Sequence, residues 1–149
     1  MCNSLKQVFP ASFFLRKEHD MDISVAGVTF ANNDGTKRQD ILRNLGFGYK
    51  LAQLVQTTFE NERAVEVRID GNLVGYIPRK YLDNPISYNT SLLAQIAYND
   101  VSGNYYVILS PIEPPDSEEI AKTTAYCQEH NIKMPVISDR RIYQMLRYA

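Results

Sequence analysis

Apolar and polar residues alternate most cleanly over residues 64–70, where Val65, Val67 and Ile69 point one way and Glu66, Arg68 and Asp70 the other. A period of two predicts a strand with one face in a core and one in water. Asp70-Gly71-Asn72 is the strongest hairpin signal in the chain, and Leu73-Val74-Gly75-Tyr76-Ile77 reads as the return strand. Residues 49–56 predict another strand, and residues 92–98 and 105–109 a further hairpin across residues 99–104. Residues 22–30 are rich in β-branched side chains and predict a first strand. Gly27 within it points to a bulge or a close backbone approach.

Helical spacing occurs in three places. Thr36 and Gln39 are placed as a capping box. The helix they open carries Ile41, Leu42 and Leu45 on one face and stops at Gly46. Asp116 with Glu119 caps a second helix to about His130, with Ile120, Thr124 and Cys127 near one face. Ser138 caps a last helix containing Ile142, Met145 and Leu146. Pro78, at a first helical position, opens a short turn that Asp83-Asn84-Pro85 breaks. The pattern amounts to five strands in hairpins, one helix after the first strand, and two terminal helices. The expected fold class is α+β, mainly β. Residues 1–21 form an N-terminal arm, 22–110 a small antiparallel OB/SH3-like β-barrel with an inserted helix, and 111–149 an appendage of two C-terminal helices.

Composition narrows the field. The chain has 149 residues, 44% hydrophobic and 22% charged, as an ordinary globular domain does. A chain of this length buries roughly 70% of its unfolded surface, which argues against disorder, a collagen-like repeat or a disulfide scaffold. Cys2 and Cys127 are too few for a disulfide framework and point to a reducing compartment. No segment reaches the ~18–20 apolar residues of a membrane span. Residues 8–15 are apolar but short, contain Pro10, and run into Arg16-Lys17-Glu18 without a cleavage pattern. The expectation is a cytoplasmic protein with no membrane contact.

The net charge of −1 excludes a polybasic binder, but the charge is unevenly distributed. Residues 23–80 carry net +2, residues 81–131 net −6 and residues 132–149 net +3. This is either an ordinary solvated scatter or a small anion-binding face on the first half.

Catalytic and metal-binding patterns are missing. Cys127 and His130 have a CxxH spacing, yet a structural metal site needs four ligands and no second pair exists. There is no P-loop, no G-x-G-x-x-G after a strand and no G-x-S-x-G elbow. Asp139-Arg140-Arg141 reads as a solvated helix start. No enzyme activity, metal or small-molecule cofactor is expected.

One block is specific. It runs Val25-Ala26-Gly27-Val28-Thr29-Phe30, Arg38-Gln39-Asp40-Ile41-Leu42-Arg43-Asn44-Leu45, Leu51-Ala52-Gln53-Leu54-Val55 and Asn61-Glu62-Arg63-Ala64-Val65-Glu66-Val67. It ends in Gly71-Asn72-Leu73-Val74-Gly75-Tyr76-Ile77-Pro78-Arg79. Over roughly residues 22–110 this resembles the HIRAN domain, known as a stand-alone bacterial and phage domain and as a module of replication-fork repair ATPases. The resemblance implies an OB-like barrel that binds the 3′-hydroxyl end of a DNA single strand. It carries Phe30 over as the aromatic ending the first strand and Arg79 as the phosphate-holding base. Tyr76 sits where some members have a His. The family's terminal-nucleotide loop has a Tyr-Asp pair, where this chain has Glu60 and Asn61. Asn61 can still hydrogen-bond a hydroxyl, and Phe59, one position away, offers a ring.

The same residues fit a physical reading. A single-strand binder needs aromatic faces for bases and cations for phosphates. Phe30, Phe47, Tyr49 and Tyr76 lie near loops or strand ends, and Lys37, Arg38, Arg63, Arg79 and Lys80 lie near them in sequence. Arg79 and Lys80 follow Pro78 at a helix opening, where backbone N–H groups already favour an anion. Phe30 and Tyr76 also fit a core, and Lys37 and Arg38 an ordinary solvated helix start. Two functional readings follow. One is a DNA-binding module for single-stranded or damaged ends, linked to repair or replication, with Phe30, Lys37, Arg38, Asn61, Arg63, Tyr76, Arg79 and Lys80 as its site. The alternative is a protein-interaction module that has lost the nucleotide pocket and meets its partner through the acidic segment 113–119.

Overall fold

The computed structural model describes residues 22–83 and 91–148. The N-terminal arm and the Asn84-Pro85 break lie outside the described residues. The chain divides into two compact units, whose described parts are residues 22–83 with 91–111, and residues 112–148.

The larger unit is built on β1 (Ile23–Ser24), α1 (Arg38–Leu45), β2 (Gly48–Phe59), β3 (Glu62–Ile69), β4 (Asn72–Tyr76), β5 (Ser91–Asn99) and β6 (Asn104–Ser110). Six strands form one antiparallel sheet in the order β1-β6-β5-β2-β3-β4. The chain is thus α+β and mainly antiparallel β, and its six strands fall on the six segments, 22–30, 49–56, 64–70, 73–77, 92–98 and 105–109, that the sequence pattern marks as strands. β2 is the longest strand. Its first half pairs with β5 and its second half with β3, so the sheet curls into a half-barrel around it.

The alternation in β3 is borne out: Val65, Val67 and Ile69 are fully buried, while Glu66 and Arg68 stay half-exposed and pair at 2.9 Å. They share a core with Leu54, Val74, Ile96, Val107 and Leu109, and Leu42 of α1 caps it. Asp70 and Gly71 both have positive φ (52° and 80°), as the type I′ turn between β3 and β4 requires. Glu60 and Asn61 do the same between β2 and β3 (53° and 66°), a tight turn where the sequence suggests only a loop.

Three local expectations are corrected. The strand expected over residues 22–30 is regular only at Ile23–Ser24, and Gly27 (φ 75°) turns the chain so that Phe30 lies in a turn closed by its own N–H on the Gly27 carbonyl. Thr36 does not cap α1. The cap residue is Lys37, with no side-chain cap bond, and the Thr36 N–H goes to Asp34 Oδ1 instead. Gln39 leaves the box because three backbone groups outside the helix need it. Its amide donates to the carbonyls of Val28 (3.0 Å) and Tyr105 (2.9 Å) and accepts from the Tyr105 N–H (2.7 Å).

The smaller unit holds α2 (Ser117–Glu129) and α3 (Arg140–Tyr148), which pack together. Asp116 caps α2 as expected, accepting from the Glu119 N–H at 2.7 Å. The buried residues of α2 are Thr123 and Cys127, whereas Ile120 is exposed. Asp139, not Ser138, accepts at the start of α3, from the Arg141 N–H at 2.8 Å. The sequence Asp139-Arg140-Arg141 is no solvated helix start. Asp139 is fully buried and bonded to the Arg141 guanidinium, and Glu113 binds both Arg140 and Arg141. No helix of the described residues is long and apolar enough to cross a membrane.

Candidate nucleic-acid interface

The site begins with a missing Cβ. On Gly75 of β4, a Cβ would lie 2.4 Å from the Ala26 carbonyl oxygen and 2.5 Å from Val25 Cγ1. Glycine therefore lets residues 25–26 cross β4 closely. Ala26 and Tyr76 exchange both backbone hydrogen bonds (2.8 and 2.9 Å), and this bridge ties the β1 end of the chain to the opposite edge strand. The next side chain after Gly75 is Tyr76, so the closure fixes where its ring sits.

Arg38 lies against that ring. Its guanidinium carbon is 5.3 Å from the Tyr76 centroid, within cation–π range. The residue is only 6% exposed. Nε donates to Asn32 Oδ1 (2.7 Å) and Nη1 to the Gly27 carbonyl (2.9 Å). Asn32 is itself pinned by its Nδ2 donating to the Leu73 carbonyl at 3.1 Å. The expectation of Arg38 in a solvent-facing cationic rim is therefore corrected: its charge is turned inward onto backbone, an amide and a ring. A Cβ on Gly27 would be 3.0 Å from Arg38 Nη1 and 3.6 Å from Phe30 Cδ2, which places the Phe30 ring beside the same glycine. Phe30 is 67% exposed.

Phe59 also neighbours Tyr76, centroids 6.4 Å apart and planes tilted by 50°. It is 60% exposed. Directly opposite it across the Glu60-Asn61 turn is Glu62, whose carboxylate binds the Arg79 guanidinium. Arg79 opens the 3₁₀ turn Arg79–Tyr81 after Pro78, and its side chain is 80% exposed. Contacts thus run without a break from Phe30 through Gly27, Arg38, Tyr76 and Phe59 to Glu62 and Arg79.

The other expected residues sit around this row. Lys37 is exposed at the start of α1. Arg63 is held by Gln56 Oε1 (3.3 Å) and faces Asp83 (3.8 Å). Lys80 places its ammonium 5.0 Å from the Tyr81 ring centroid. Asn61 is exposed at the hairpin tip. Sequence reasoning missed Asn32, which looks like one more turn residue, and the partnership of Glu62 with Arg79. A tight Glu60-Asn61 turn, had it been read, sets Glu62 across from Phe59.

Among the described residues no group of three or more His, Cys, Asp or Glu is placed to hold a metal ion. Cys127 is buried, and His130 stacks on Tyr126 with centroids 4.0 Å apart. The acidic segment 113–119 is tied up within its own unit. Glu113 binds Arg140 and Arg141, Asp116 caps α2, Glu118 pairs with Lys122, and Glu119 binds Arg147.

No family model matches the chain, no curated protein matches it, and no solved structure matches it.

Proposed function

We propose that residues 22–110 are a DNA-binding module that takes the 3′-hydroxyl end of a single-stranded or damaged strand, acts in the cytoplasm in repair or replication, and does no chemistry alone. The observation that carries this reading is the row of Phe30, Tyr76 and Phe59 beside Arg79. Exposed rings offer faces to bases, at about 1–3 kcal/mol per stack. Arg38 beneath Tyr76 stiffens the platform without spending its charge on solvent. Arg79, out in solvent after Pro78, is the phosphate contact, and Asn61 at the hairpin tip, two residues from Phe59, offers its amide to the hydroxyl. On this reading the curled sheet, tied at Ala26 and Tyr76, is an OB/SH3-like barrel of the HIRAN kind.

The test is fluorescence anisotropy with a short labelled single strand ending in a 3′-hydroxyl, and with the same strand ending in a 3′-phosphate. The hydroxyl form binds at low salt, weakens as salt rises, and binds more tightly than the blocked form. No anisotropy change at low salt sinks the proposal.

A second reading has its own support. Glu62 on Arg79, with Glu60 beside it, makes the hairpin tip acidic where a phosphate would approach. Exposed Phe30 and Phe59 rings then suit a protein partner, with the acidic segment 113–119 as a further contact. Pull-down that survives nuclease and fails on Glu118→Lys, the reversal within 113–119 at an exposed pair, supports this reading over the first.

A further inference from the structure

A second cluster of rings and cations lies at the other end of α1. Gly46-Phe47-Gly48 joins α1 to β2, and both glycines are at positive φ (83° and 115°). Other residues rarely adopt that backbone, so the loop's course depends on glycine on each side of Phe47. What the loop displays is a large ring, 56% exposed. The Phe47 centroid is 5.8 Å from that of Tyr105, with a tilt of 34°. Tyr105 in turn meets Tyr98 edge-on at 5.0 Å, and the Arg43 guanidinium lies 5.9 Å from the Tyr105 ring. The backbone of Tyr105 is clamped on both its N–H and its carbonyl by Gln39. The bed under Phe47 is therefore rigid, while its outer face is open.

We infer that this cluster is a second base-stacking platform, taking an unpaired nucleotide of the same strand whose end lies at Tyr76 and Arg79. The inference rests on the reading of that first site as a nucleotide niche. Three observations carry it. The chemistry repeats, since each end of α1 sets an arginine over a tyrosine beside an exposed phenylalanine: Arg38, Tyr76 and Phe59 at one end, Arg43, Tyr105 and Phe47 at the other. The placement suits a continuous strand, because α1 packs on both β4, which carries Tyr76, and β6, which carries Tyr105. The charge is complementary, since residues 37–50 hold, besides the inward-turned Arg38, the basic residues Lys37, Arg43 and Lys50 against the single acidic Asp40. Asp40 pairs with Arg43 at 2.7 Å with both side chains more than half exposed, so a phosphate reaches Arg43 by exchange with Asp40, as one at Arg79 does with Glu62.

Labelled oligothymidylates with a 3′-hydroxyl, from dithymidylate to decathymidylate, test this by anisotropy on the full chain. The wild type tightens with length up to a plateau. Phe47→Ala loses that gain on the longest strand by roughly five- to a hundredfold, the range of one base–aromatic stack, and binds dithymidylate as the wild type does. Phe47→Tyr keeps the gain. Arg43→Ala, at a solvent-facing position, loses part of it and serves where Phe47→Ala fails to fold. Wild-type affinity that does not depend on length overturns the inference while the first site stands. So does a Phe47→Ala protein that matches the wild type at every length, or weakens at all lengths alike. Absence of binding at every length overturns the reading of the first site and this one with it.

Discussion

The carboxylate of Glu62 occupies the guanidinium of Arg79, and Glu62 stands directly across the β2–β3 turn from Phe59. An exposed cation of the candidate site is therefore already neutralised by the hairpin that supplies one of its rings. A phosphate reaching Arg79 exchanges one anion for another, which lowers the net gain from that contact.

Removing the competitor has a definite sign. Glu62→Gln raises the affinity for a short single strand several-fold and steepens its salt dependence by up to about one ion, because Arg79 then meets phosphate unpaired. Arg79→Ala weakens binding by about 1–3 kcal/mol. Exposed ion pairs contribute only ~0–1 kcal/mol to folding, so melting temperatures of both variants stay near that of the wild type. Anisotropy titrations at two salt concentrations read both effects, and a Glu62→Gln protein that binds no better removes Glu62 as a competitor.

Gly75 is tested through folding. A Cβ there meets backbone at 2.4 Å, and backbone cannot swing aside as a flexible side chain can. Gly75→Ala costs about 1–3 kcal/mol, the usual range for overpacking, and it loosens the Ala26–Tyr76 bridge. Urea unfolding gives the stability change. Hydrogen exchange at the Ala26 and Tyr76 amides shows whether the loss starts at the bridge, and unchanged exchange there means the strands part elsewhere.

Arg38 and Lys37 are neighbours in sequence with opposite expected behaviour. Arg38→Ala leaves Asn32 Oδ1 and the Gly27 carbonyl without their charged donor, at about 1.5–3 kcal/mol per such bond, and it frees the Tyr76 ring. Lys37→Ala, at an exposed position, changes stability by less than about 0.5 kcal/mol. Thermal melts of the two variants side by side decide the matter. Equal stabilities mean that the guanidinium is not a clamp.

That contrast marks where the sequence stops being informative. The β3 alternation, the Asp70-Gly71 turn and the Asp116 cap are local: each depends on residues a few positions apart, so their pattern is visible without the fold. The close approach was half legible: a glycine inside a strand announces one, and the sequence pointed to it at Gly27, whereas Gly75 of β4 is where the backbone of Ala26 comes closest. Arg38 was not legible as a buried residue, because its partners Gly27, Asn32 and Tyr76 are brought to it by the sheet closure. Gln39 misled for the same reason. Its spacing from Thr36 satisfies a local rule, but the backbone groups of Val28 and Tyr105 offer it three bonds. The Glu60-Asn61 turn was hidden because glutamate seldom takes positive φ, leaving Asn61 as the lone signal.

The turn that holds Asn32 gives a pH dependence. The Thr36 N–H donates to Asp34 and, with the Thr36 side chain next in weight, holds the Asp34 carboxyl below its ordinary value. A carboxylate with a lowered folded value adds stability that is present at neutral pH and fades as pH falls through that lowered value. Asp34→Ala therefore melts below the wild type at pH 7, and the gap closes in strong acid. Melting curves across the acid range test this, and a gap that widens on acidification contradicts the assigned bond.

The last prediction concerns Asp139 in the helical unit. It is fully buried, and each partner it has is a donor: the Glu113 N–H (2.9 Å), the Arg141 N–H (2.8 Å), and Nε and Nη2 of Arg141 (3.0 and 2.8 Å). An asparagine there offers one oxygen and turns an NH₂ towards donors, while taking from the buried Arg141 charge the Asp139 carboxylate and leaving it that of Glu113. Breaking a buried pair from one side costs about 3–5 kcal/mol. Asp139→Asn is therefore nearly as damaging as Asp139→Ala, whereas Glu118→Gln, at an exposed pair with Lys122, leaves the helices as they are. Hydrogen exchange of the α2 and α3 amides separates these cases. Fast exchange in both Asp139 variants and wild-type exchange in Glu118→Gln is the expected pattern, and slow exchange in Asp139→Asn shows that the site tolerates a neutral amide and that the charge is not what holds α3 in place.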